Sequence, residues 1–331
     1  MEKIKICSFC VKKDEEVVLK ETAEEKQIDL KLVWAEPTLE NAFEVEGCLG
    51  VTISGLSYIS DKMLDAYYEY GVRFLSTRTR GYNHIDIEHA KKIGIRVSYA
   101  TYPPDSVAEF TVMLMLMCLR NYKQQLWRGQ VNDFDLIGLK GRNLSRMTVG
   151  ILGTGQIGFR VIQYLSGFGC KIYAYDVYRS ESVKEYADYV ENVQEIYQKC
   201  DLITLHMPLF ESNFHMIDEK AMAQMKDGVV LINTARGGLI DTKALIKGLE
   251  TGKVGAAGLD VIEDEFGLYY KDLKSKCLSK HDLCILRSFP NVVVTPHMAF
   301  YTDQAVSDMV KNSILSCCLN ERGEENPWEV K

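Results

Sequence analysis

The sequence predicts a parallel α/β protein built from two domains, one of them inserted into the other. Short apolar runs alternate with helix-length segments throughout the chain, and this alternation is typical of parallel sheets covered by helices. From residue 147 onward the apolar runs are almost continuous, as expected of strands buried on both faces. The chain has 331 residues, more than one hydrophobic core usually supports, so two domains are expected.

The elements can be assigned in order along the chain. Strands are predicted at IKICSF (4–9), CLGVTIS (48–54), VRFLST (72–77), MTVGILG (147–153), KIYAYD (171–176), DLITLHM (201–207), GVVLINT (228–234), VGAAGLDV (254–261) and NVVVTP (291–296). Helices are predicted in the charged stretch 15–26, in SDKMLDAYYEYG (60–71) and from about Asp303 to Leu319. The apolar run FTVMLMLMCL (110–119) is shorter than the ~20 residues that span a bilayer, so it predicts a buried helix.

Two segments predict where the chain crosses between domains. A double proline follows Tyr102 and excludes helix there, while Asp105 or Ser106 can cap the long helix that follows. Residues 297–302 leave the last strand and enter the final helix. We therefore predict a first, discontinuous domain of residues 1–101 and 299–331, and a second domain of residues 102–298.

Composition and charge exclude several classes of function. The formal net charge is -7, the pI is near 5.5 and no basic run is present, so nucleic acid is not an expected partner. The N-terminus is strand-like and lacks a signal-peptide cleavage site, so we expect a cytoplasmic protein with no membrane partner. Cys7 and Cys10 form a C-x-x-C that is open to a redox or metal-binding interpretation. No second C-x-x-C follows, so we favour core cysteines and predict no metal.

The pattern G-x-G-x-x-G follows the strand MTVGILG and begins a helix. Gly153 would allow a tight turn, Gly155 would let the backbone approach a pyrophosphate, and Gly158 would permit close packing of helix and strand. The helix N-terminus at Gln156 and Ile157 would then face the phosphates. Because glycines also mark ordinary turns, a purely structural turn is the alternative for this motif taken alone.

Asp176 ends the next strand, about 20 residues further on, where an acid is expected to meet the adenosine ribose. A carboxylate there accepts hydrogen bonds from both ribose hydroxyls of NAD and repels the additional phosphate of NADP. The sequence therefore predicts NAD as cofactor. A solvated acid at a strand end is the alternative for Asp176, and nearby Arg179 keeps NADP open.

Three residues of the second half lie just beyond the carboxyl ends of predicted strands, where open α/β sheets bind ligands. Arg236 follows GVVLINTA, Glu265 follows VGAAGLDV, and His297 follows NVVVTP. A guanidinium can hold the carboxylate of a 2-oxo acid bidentately, and histidine suits proton transfer to the carbonyl oxygen. A carboxylate can orient the imidazole and favour its protonated form. Taken singly, each residue has a plain alternative as a surface ion pair, a solvated acid or a backbone-bonded histidine.

These residues lie in segments that resemble the D-isomer-specific 2-hydroxyacid dehydrogenases. The similar segments are INTARGGLID (232–241), GAAGLDVIEDE (255–265), NVVVTPHMAFYT (291–302), STRTRGYNHID (76–86), YPPDSVAE (102–109), GTGQIG (153–158) and LHMPL (205–209). Within the family the chain looks most similar to the branch of D-lactate dehydrogenases, vancomycin-resistance D-lactate dehydrogenases and D-2-hydroxyisocaproate and phenyllactate dehydrogenases. The resemblance implies two Rossmann-like domains, the nucleotide-binding domain being inserted into a flavodoxin-like substrate-binding domain.

The resemblance also implies roles for individual residues. It assigns substrate carboxylate and carbonyl binding to Arg236, acid/base catalysis to His297, and pairing with that histidine to Glu265. Further residues implied for the substrate are Arg80, Gly81, Tyr102 and Phe300, and those implied for the cofactor include His206, Pro208, Thr234, Ala235 and Asp260. Relatives often have an apolar or small residue at position 80, so Arg80 leaves the preferred size and charge of the substrate open.

The predicted reaction is the NADH-dependent reduction of a 2-oxo acid, pyruvate or a bulkier one, to the D-2-hydroxy acid. Specificity for an aromatic or branched substrate (phenyllactate, indolelactate or 2-hydroxyisocaproate dehydrogenase) is the alternative. A remote alternative is an NAD-sensing binding protein similar to the corepressors of this superfamily, which keep the same three catalytic residues. The resemblance further implies a homodimer formed through the nucleotide-binding domain.

Overall fold

The computed structural model describes residues 3–55 and 57–331. The chain divides into two compact units, Met1–Pro103 with Tyr301–Lys331 and Pro104–Phe300. These divisions follow residues 103 and 300, whereas the sequence places them after residues 101 and 298. The assignment of substrate binding to the first unit stays a prediction.

The first unit contains a five-stranded parallel sheet in the order β2-β1-β3-β4-β5. Its elements are β1 (Lys5–Ser8), α1 (Lys13–Glu25), β2 (Asp29–Leu32), β3 (Gly50–Ile53), α2 (Asp61–Glu69), β4 (Phe74–Thr77), α3 (Ile87–Ile93), β5 (Arg96–Tyr99) and α11 (Asp303–Arg322), with a 3-10 helix at Leu39–Val45. This strand order is that of flavodoxin-like folds, and it confirms the predicted fold class of the unit.

Apolar side chains cover both faces of this sheet. The successive residues Ile6 and Cys7 of β1 belong to different clusters, one with α1 and α11 residues such as Leu19 and Ile314, the other with Tyr67 of α2. This separation follows from the alternation of side chains along a strand. The sheet is therefore buried on both sides, as predicted for parallel strands.

The C-terminal residues after α11 pair with the edge strand β5. Val330 N donates to Val97 O at 2.9 Å and Tyr99 N donates to Trp328 O at 3.0 Å. The Arg96 guanidinium donates to both carboxylate oxygens of Glu329 at 2.7 and 2.5 Å. This tail therefore closes one edge of the sheet.

Of the two cysteines in the C-x-x-C, Cys7 lies in the core and Cys10 is half-buried. Cys7 is fully buried, and burial raises the pKa of its thiol to about 12. The Cys10 thiol lies 3.3 Å from the Ser57 hydroxyl, and burial raises its pKa also. All ten cysteines, which lie within the described ranges, are free. Since a thiolate is the reactive form, these pKa directions give no support to redox chemistry at Cys7 and Cys10.

The second unit contains a seven-stranded parallel sheet in the order β12-β11-β10-β9-β6-β7-β8. Its elements are α4 (Asp105–Leu119), α5 (Tyr122–Gln130), β6 (Thr148–Leu152), α6 (Gln156–Ser166), β7 (Lys171–Tyr175), β8 (Asp188–Tyr189), α7 (Val193–Lys199), β9 (Leu202–Leu205), α8 (Glu219–Gln224), β10 (Val229–Asn233), α9 (Thr242–Glu250), β11 (Val254–Leu259), α10 (His281–Ser288) and β12 (Val292–Val294), with 3-10 helices at Leu144–Arg146, Glu181–Glu185, Glu211–Asn213 and Gly237–Leu239. The order reverses at β6, as in dinucleotide-binding doubly wound sheets, and confirms the predicted Rossmann-like fold.

The long apolar helix α4 packs in the core of this unit, and Leu114 and Met115 are fully buried. Its predicted cap is wrong. The N-cap residue is Pro104, and no described side chain caps the helix. Asp105 already lies inside the helix, where its carboxylate accepts a hydrogen bond from Tyr164 Oη at 2.8 Å. Within the described residues, no helix has the length and apolar character needed to cross a membrane.

Candidate active site

The glycine turn between β6 and α6 is shaped by close contacts that only glycine allows. Gly153 has φ = 94°, and a Cβ there would lie 2.8 Å from the backbone carbon of His206. A Cβ at Gly158 would lie 2.0 Å from Gly153 O, whereas one at Gly155 would meet no described atom within 4 Å. No described side chain caps α6, which begins at Gln156. The open backbone at Gly155 and the uncapped helix end therefore fit a pyrophosphate.

Asp176 lies at the end of β7, directly beside this turn. Its Oδ2 accepts hydrogen bonds from Thr154 N at 2.6 Å and Thr154 Oγ1 at 3.2 Å, and its Oδ1 accepts one from Tyr178 N at 3.0 Å. Nearby Arg179 donates to both carboxylate oxygens of Glu191 at 3.0 and 3.1 Å. Arg179 is thus engaged with an acid, and the carboxylate at position 176 favours NAD over NADP.

Other predicted cofactor residues lie at the carboxyl ends of the neighbouring strands β9 and β10. His206 N donates to Leu152 O at 2.7 Å, and burial lowers the pKa of the His206 imidazole to about 3. This histidine is therefore neutral near pH 7. The other predicted residues here bond to neighbouring groups within 3.0 Å, namely Pro208 O with Asn213 Nδ2, Thr234 Oγ1 with Thr111 Oγ1, and Ala235 N with Asn233 Oδ1.

Arg236 begins the turn that follows β10. Asn233 Nδ2 donates to the Arg236 carbonyl at 2.9 Å, and Arg236 Nη1 donates to Ala235 O at 2.7 Å. The next residue, Gly237, packs so closely on the turn after β11 that a Cβ would lie 2.1 Å from the carbonyl of Ile262. The turn carrying Arg236 and the turn leading to Glu265 are therefore in direct backbone contact.

Asp260 follows β11 and is fully buried. Its carboxylate accepts hydrogen bonds from Thr295 Oγ1 at 2.6 Å, from Met298 N at 2.9 Å and from Ala299 N at 2.9 Å, and its carbonyl accepts one from His297 N at 2.8 Å. The family resemblance implies a cofactor contact for this aspartate, and that contact stays a prediction. The hydrogen bonds of this carboxylate hold the turn that carries His297.

His297 and Glu265 form the central pair of the site. His297 Nδ1 and Glu265 Oε1 lie 2.6 Å apart, and Glu265 Oε2 also accepts a longer bond of 3.4 Å from Ile262 N. His297 has φ = 50°, a left-handed conformation that is uncommon outside glycine and is found at functional sites. The predicted pairing of the two side chains is present in the structure, with the imidazole partly exposed.

Aromatic rings lie next to this pair. The Phe300 ring is edge-on to the His297 ring, with a centroid distance of 6.5 Å and an interplanar angle of 79°. Tyr270 makes an edge contact of the same distance with Phe300, and its hydroxyl donates to the His297 carbonyl at 2.5 Å. Sequence reasoning missed Tyr270, because the segment between Glu265 and α10 has neither a strand nor a helix pattern.

The remaining predicted substrate residues belong to the first unit. Arg80 follows β4, donates a hydrogen bond to the Tyr102 carbonyl and has its guanidinium carbon 4.9 Å from the centroid of the Tyr102 ring. Burial lowers the pKa of Arg80 from its ordinary value. Gly81 follows in the same loop and is partly exposed. Their contact with a substrate stays a prediction.

The family profile described as the NAD-binding domain of D-isomer specific 2-hydroxyacid dehydrogenases matches residues 112–299. An aromatic 2-oxoacid reductase of Clostridium sporogenes is 41% identical over 329 residues, which cover 96% of this chain and 99% of that protein. The chain belongs to the D-isomer-specific 2-hydroxyacid dehydrogenase family.

Further relatives place this D-2-hydroxyacid dehydrogenase in the D-lactate dehydrogenase branch. A D-specific alpha-keto acid dehydrogenase of Enterococcus faecium is 44% identical over 276 residues, covering 83% of this chain and 84% of that protein. The crystal structure of D-lactate dehydrogenase with NAD+ from Lactobacillus jensenii superposes with a TM-score of 0.84 at 31% identity, covering 99% of this chain and 100% of that one. The predicted NAD-dependent oxidoreductase is confirmed, and NAD is its cofactor.

Proposed function

We propose that Arg236, Glu265 and His297 are the catalytic residues with which this dehydrogenase reduces a 2-oxo acid to the D-2-hydroxy acid. The observation that carries the proposal is the 2.6 Å contact between the His297 imidazole and the Glu265 carboxylate. It supports a histidine whose ring is oriented by a carboxylate, as a proton donor to a carbonyl oxygen requires.

Each residue then has one role. When bound at the glycine turn, NADH would supply the hydride for the carbonyl carbon. His297 donates the proton from Nε2 to the carbonyl oxygen, while Glu265 accepts the hydrogen bond from Nδ1 and stabilises the imidazolium. Arg236 binds the substrate carboxylate and fixes the carbonyl carbon in place. In the reverse direction, His297 accepts the hydroxyl proton.

The pKa of His206 supports giving the proton transfer to His297. Burial holds the pKa of His206 at about 3, so this imidazole carries no added proton near pH 7. It can accept or donate a hydrogen bond as a neutral ring, and its contact with Thr204 Oγ1 at 3.0 Å is of that kind. We infer a role for His206 beside the cofactor.

We further propose that the substrate carries a large apolar or aromatic group. The rings of Phe300 and Tyr270 beside His297 support this substrate class, since aromatic side chains contribute large apolar contact areas. Aromatic 2-oxo acids are also the substrates named for the Clostridium sporogenes relative. Arg80, Gly81 and Tyr102 stay predicted substrate-binding residues, and pyruvate is the second candidate substrate because the branch contains D-lactate dehydrogenases.

A substrate panel tests this proposal. NADH oxidation is followed with phenylpyruvate, 2-oxoisocaproate and pyruvate, and the hydroxy acid product is resolved on a chiral column. We expect the D-enantiomer in every case, and kcat/KM for phenylpyruvate at least about tenfold above that for pyruvate, since filling an apolar pocket is worth this much or more. A higher kcat/KM for pyruvate would reject the aromatic preference, and an L-product would reject the assigned roles.

We also propose that the protein acts in the cytoplasm as a homodimer. Ten free cysteines are consistent with a reducing compartment. The proposed dimer interface includes α5, which has no buried residue. In the segment after α5, Phe134, Leu136 and Ile137 are 77–80% exposed. Apolar patches of this kind mark protein interfaces. Sedimentation should give a dimer for the wild type and a monomer for Trp127→Glu in α5.

A further inference from the structure

The turn after β11 carries two glutamates, and each one binds a different histidine. Glu265 contacts His297 at 2.6 Å, and Glu263 contacts His215 Nε2, also at 2.6 Å. Asp264 between them has φ = 53°. The second pair lies outside the proton-transfer scheme, so its function needs a separate explanation.

The Glu263 carboxylate is bonded through both of its oxygens. Oε1 contacts His215, and Oε2 accepts hydrogen bonds from Thr242 N at 2.9 Å and Thr242 Oγ1 at 2.5 Å. Thr242 is the first residue of α9. A carboxylate at a helix N-terminus is stabilised by the exposed N–H groups and the helix dipole. Glu263 thus ties the turn before Glu265 to the start of a helix.

His215 connects the same turn to the segment that carries Arg236. Its backbone N donates to Gly238 O at 2.8 Å, and its ring stacks on Phe214 at a centroid distance of 3.9 Å. His215 also adopts a left-handed φ of 53°, a conformation that is costly without compensating contacts. The backbone and the ring of one residue therefore contact both turns.

The two turns leave no space between them. A Cβ on Gly237 would lie 2.1 Å from both the carbon and the oxygen of the Ile262 carbonyl, and 2.5 Å from Glu263 N. A shift of the Glu263 turn would therefore press directly on the residue that follows Arg236. The positions of Arg236 and Glu265 are coupled through backbone contact.

We propose that His215 and Glu263 are positioning residues for the reaction, locking the turn of Arg236 and the turn of Glu265 into one fixed geometry. This inference rests on the roles proposed above for Arg236, Glu265 and His297. Neither His215 nor Glu263 is assigned a contact with substrate or cofactor. Their effect is on the alignment of residues that make those contacts, and a misplacement of about 1 Å at an active site can cost about 10²-fold in rate.

The test compares turnover, cofactor affinity and stability in three variants. Glu263→Ala removes the bonds to His215 and Thr242 and is expected to lower kcat about 10- to 100-fold. The Kd for NADH, measured by fluorescence titration, should stay within about twofold of wild type, because this substitution leaves the glycine turn at 153–158 unchanged. Glu263→Gln can keep an acceptor towards Thr242 and a donor towards His215, so it should restore most of kcat. Thr242→Val removes only the hydrogen bond from the Thr242 hydroxyl and should give a smaller loss of kcat. This variant replaces Glu263→Ala as the test if Glu263→Ala does not fold.

A matched control is available in the first unit. His89 Nε2 and Asp65 Oδ1 form another imidazole–carboxylate pair at 2.7 Å, and Asp65 is well exposed. Asp65→Ala should leave kcat, KM and the Kd for NADH unchanged.

The outcomes separate this inference from the proposed function. Lower melting temperatures for Glu263→Ala and Thr242→Val with wild-type kcat at 25 °C would overturn the inference and leave a purely structural pair. If Glu265→Gln and His297→Gln also keep wild-type turnover, the proposed catalytic roles fail as well. If Glu265→Gln and His297→Gln lose turnover while Glu263→Ala and Thr242→Val keep it, the positioning role is rejected and the proposed function is retained.

Discussion

Replacing Asp260 by asparagine should disturb both stability and catalysis, because this buried carboxylate organises the His297 turn. Oδ1 accepts from Thr295 Oγ1 and Met298 N, while Oδ2 accepts from Ala299 N alone. If the asparagine oxygen takes the Oδ1 place, its NH2 group faces the buried Ala299 N–H. That donor then lacks an acceptor, which costs about 1–3 kcal/mol, and the other two bonds lose charge assistance worth about 1 kcal/mol in sum.

The expected total is therefore about 3 kcal/mol of unfolding free energy, or a decrease of about 6–12 °C in Tm for a unit of this size. Since the same bonds set the position of His297, kcat should also fall, about 10- to 100-fold. Tm is measured by calorimetry and kcat by NADH oxidation with phenylpyruvate at 25 °C.

A second aspartate provides the control for this variant. Asp201 lies at the amino end of β9, where it accepts from Thr148 N and from Lys226 Nζ, each at 2.8 Å. Asp201→Asn should lower Tm without changing kcat. A reduced Tm together with wild-type kcat for Asp260→Asn would refute the reasoning that this carboxylate positions the catalytic histidine.

Three further predictions concern the cofactor, the substrate and the C-terminal tail. Asp176→Ala should raise the KM for NADH and narrow the preference for NADH over NADPH. An unaltered ratio of kcat/KM for NADH to kcat/KM for NADPH would show that Asp176 does not contact the cofactor. Arg236→Lys should lower kcat/KM for phenylpyruvate at least about 10-fold with little change in NADH affinity, since lysine lacks the bidentate fork. The Arg96 guanidinium lowers the pKa of Glu329 in the folded protein. The ion pair therefore stabilises the tail fully at pH values above the unfolded-state pKa of Glu329, about 4.3. This stabilisation is lost as the pH falls through the lower folded-state pKa. Acid titration of Trp328 fluorescence should show this release in the wild type and not in Glu329→Gln.

Much of the fold follows from the sequence, because buried parallel strands leave continuous apolar runs. The strands β6, β7, β9, β10, β11 and β12 all lie within predicted segments. Strand β2, Asp29–Leu32, was not predicted, since it is at the sheet edge and its residues are exposed or half-buried. The predicted cap at Asp105 or Ser106 was wrong because Pro104 takes the N-cap position and Asp105 is already the first helical residue.

The site was predictable to the extent that strand ends locate it. Parallel strands bring their carboxyl ends to one edge, so Arg236, Glu265 and His297 could be selected together as candidates from their positions. Their individual roles came from the family resemblance. The positioning contacts could not, because they depend on loop conformation. The left-handed φ of His297 and the contact between Gly237 and the turn after β11 have no signature in periodicity.

The most direct test of the central claim is a comparison of His297→Gln with His281→Gln. His281 begins α10 in the same unit and has no role in the proposed reaction. With phenylpyruvate and saturating NADH, His297→Gln should lower kcat about 10² to 10⁴-fold while the Kd for NADH stays within about twofold of wild type, and His281→Gln should match the wild type in both. A His297→Gln enzyme that turns over within about threefold of wild type would contradict the assignment of the proton donor.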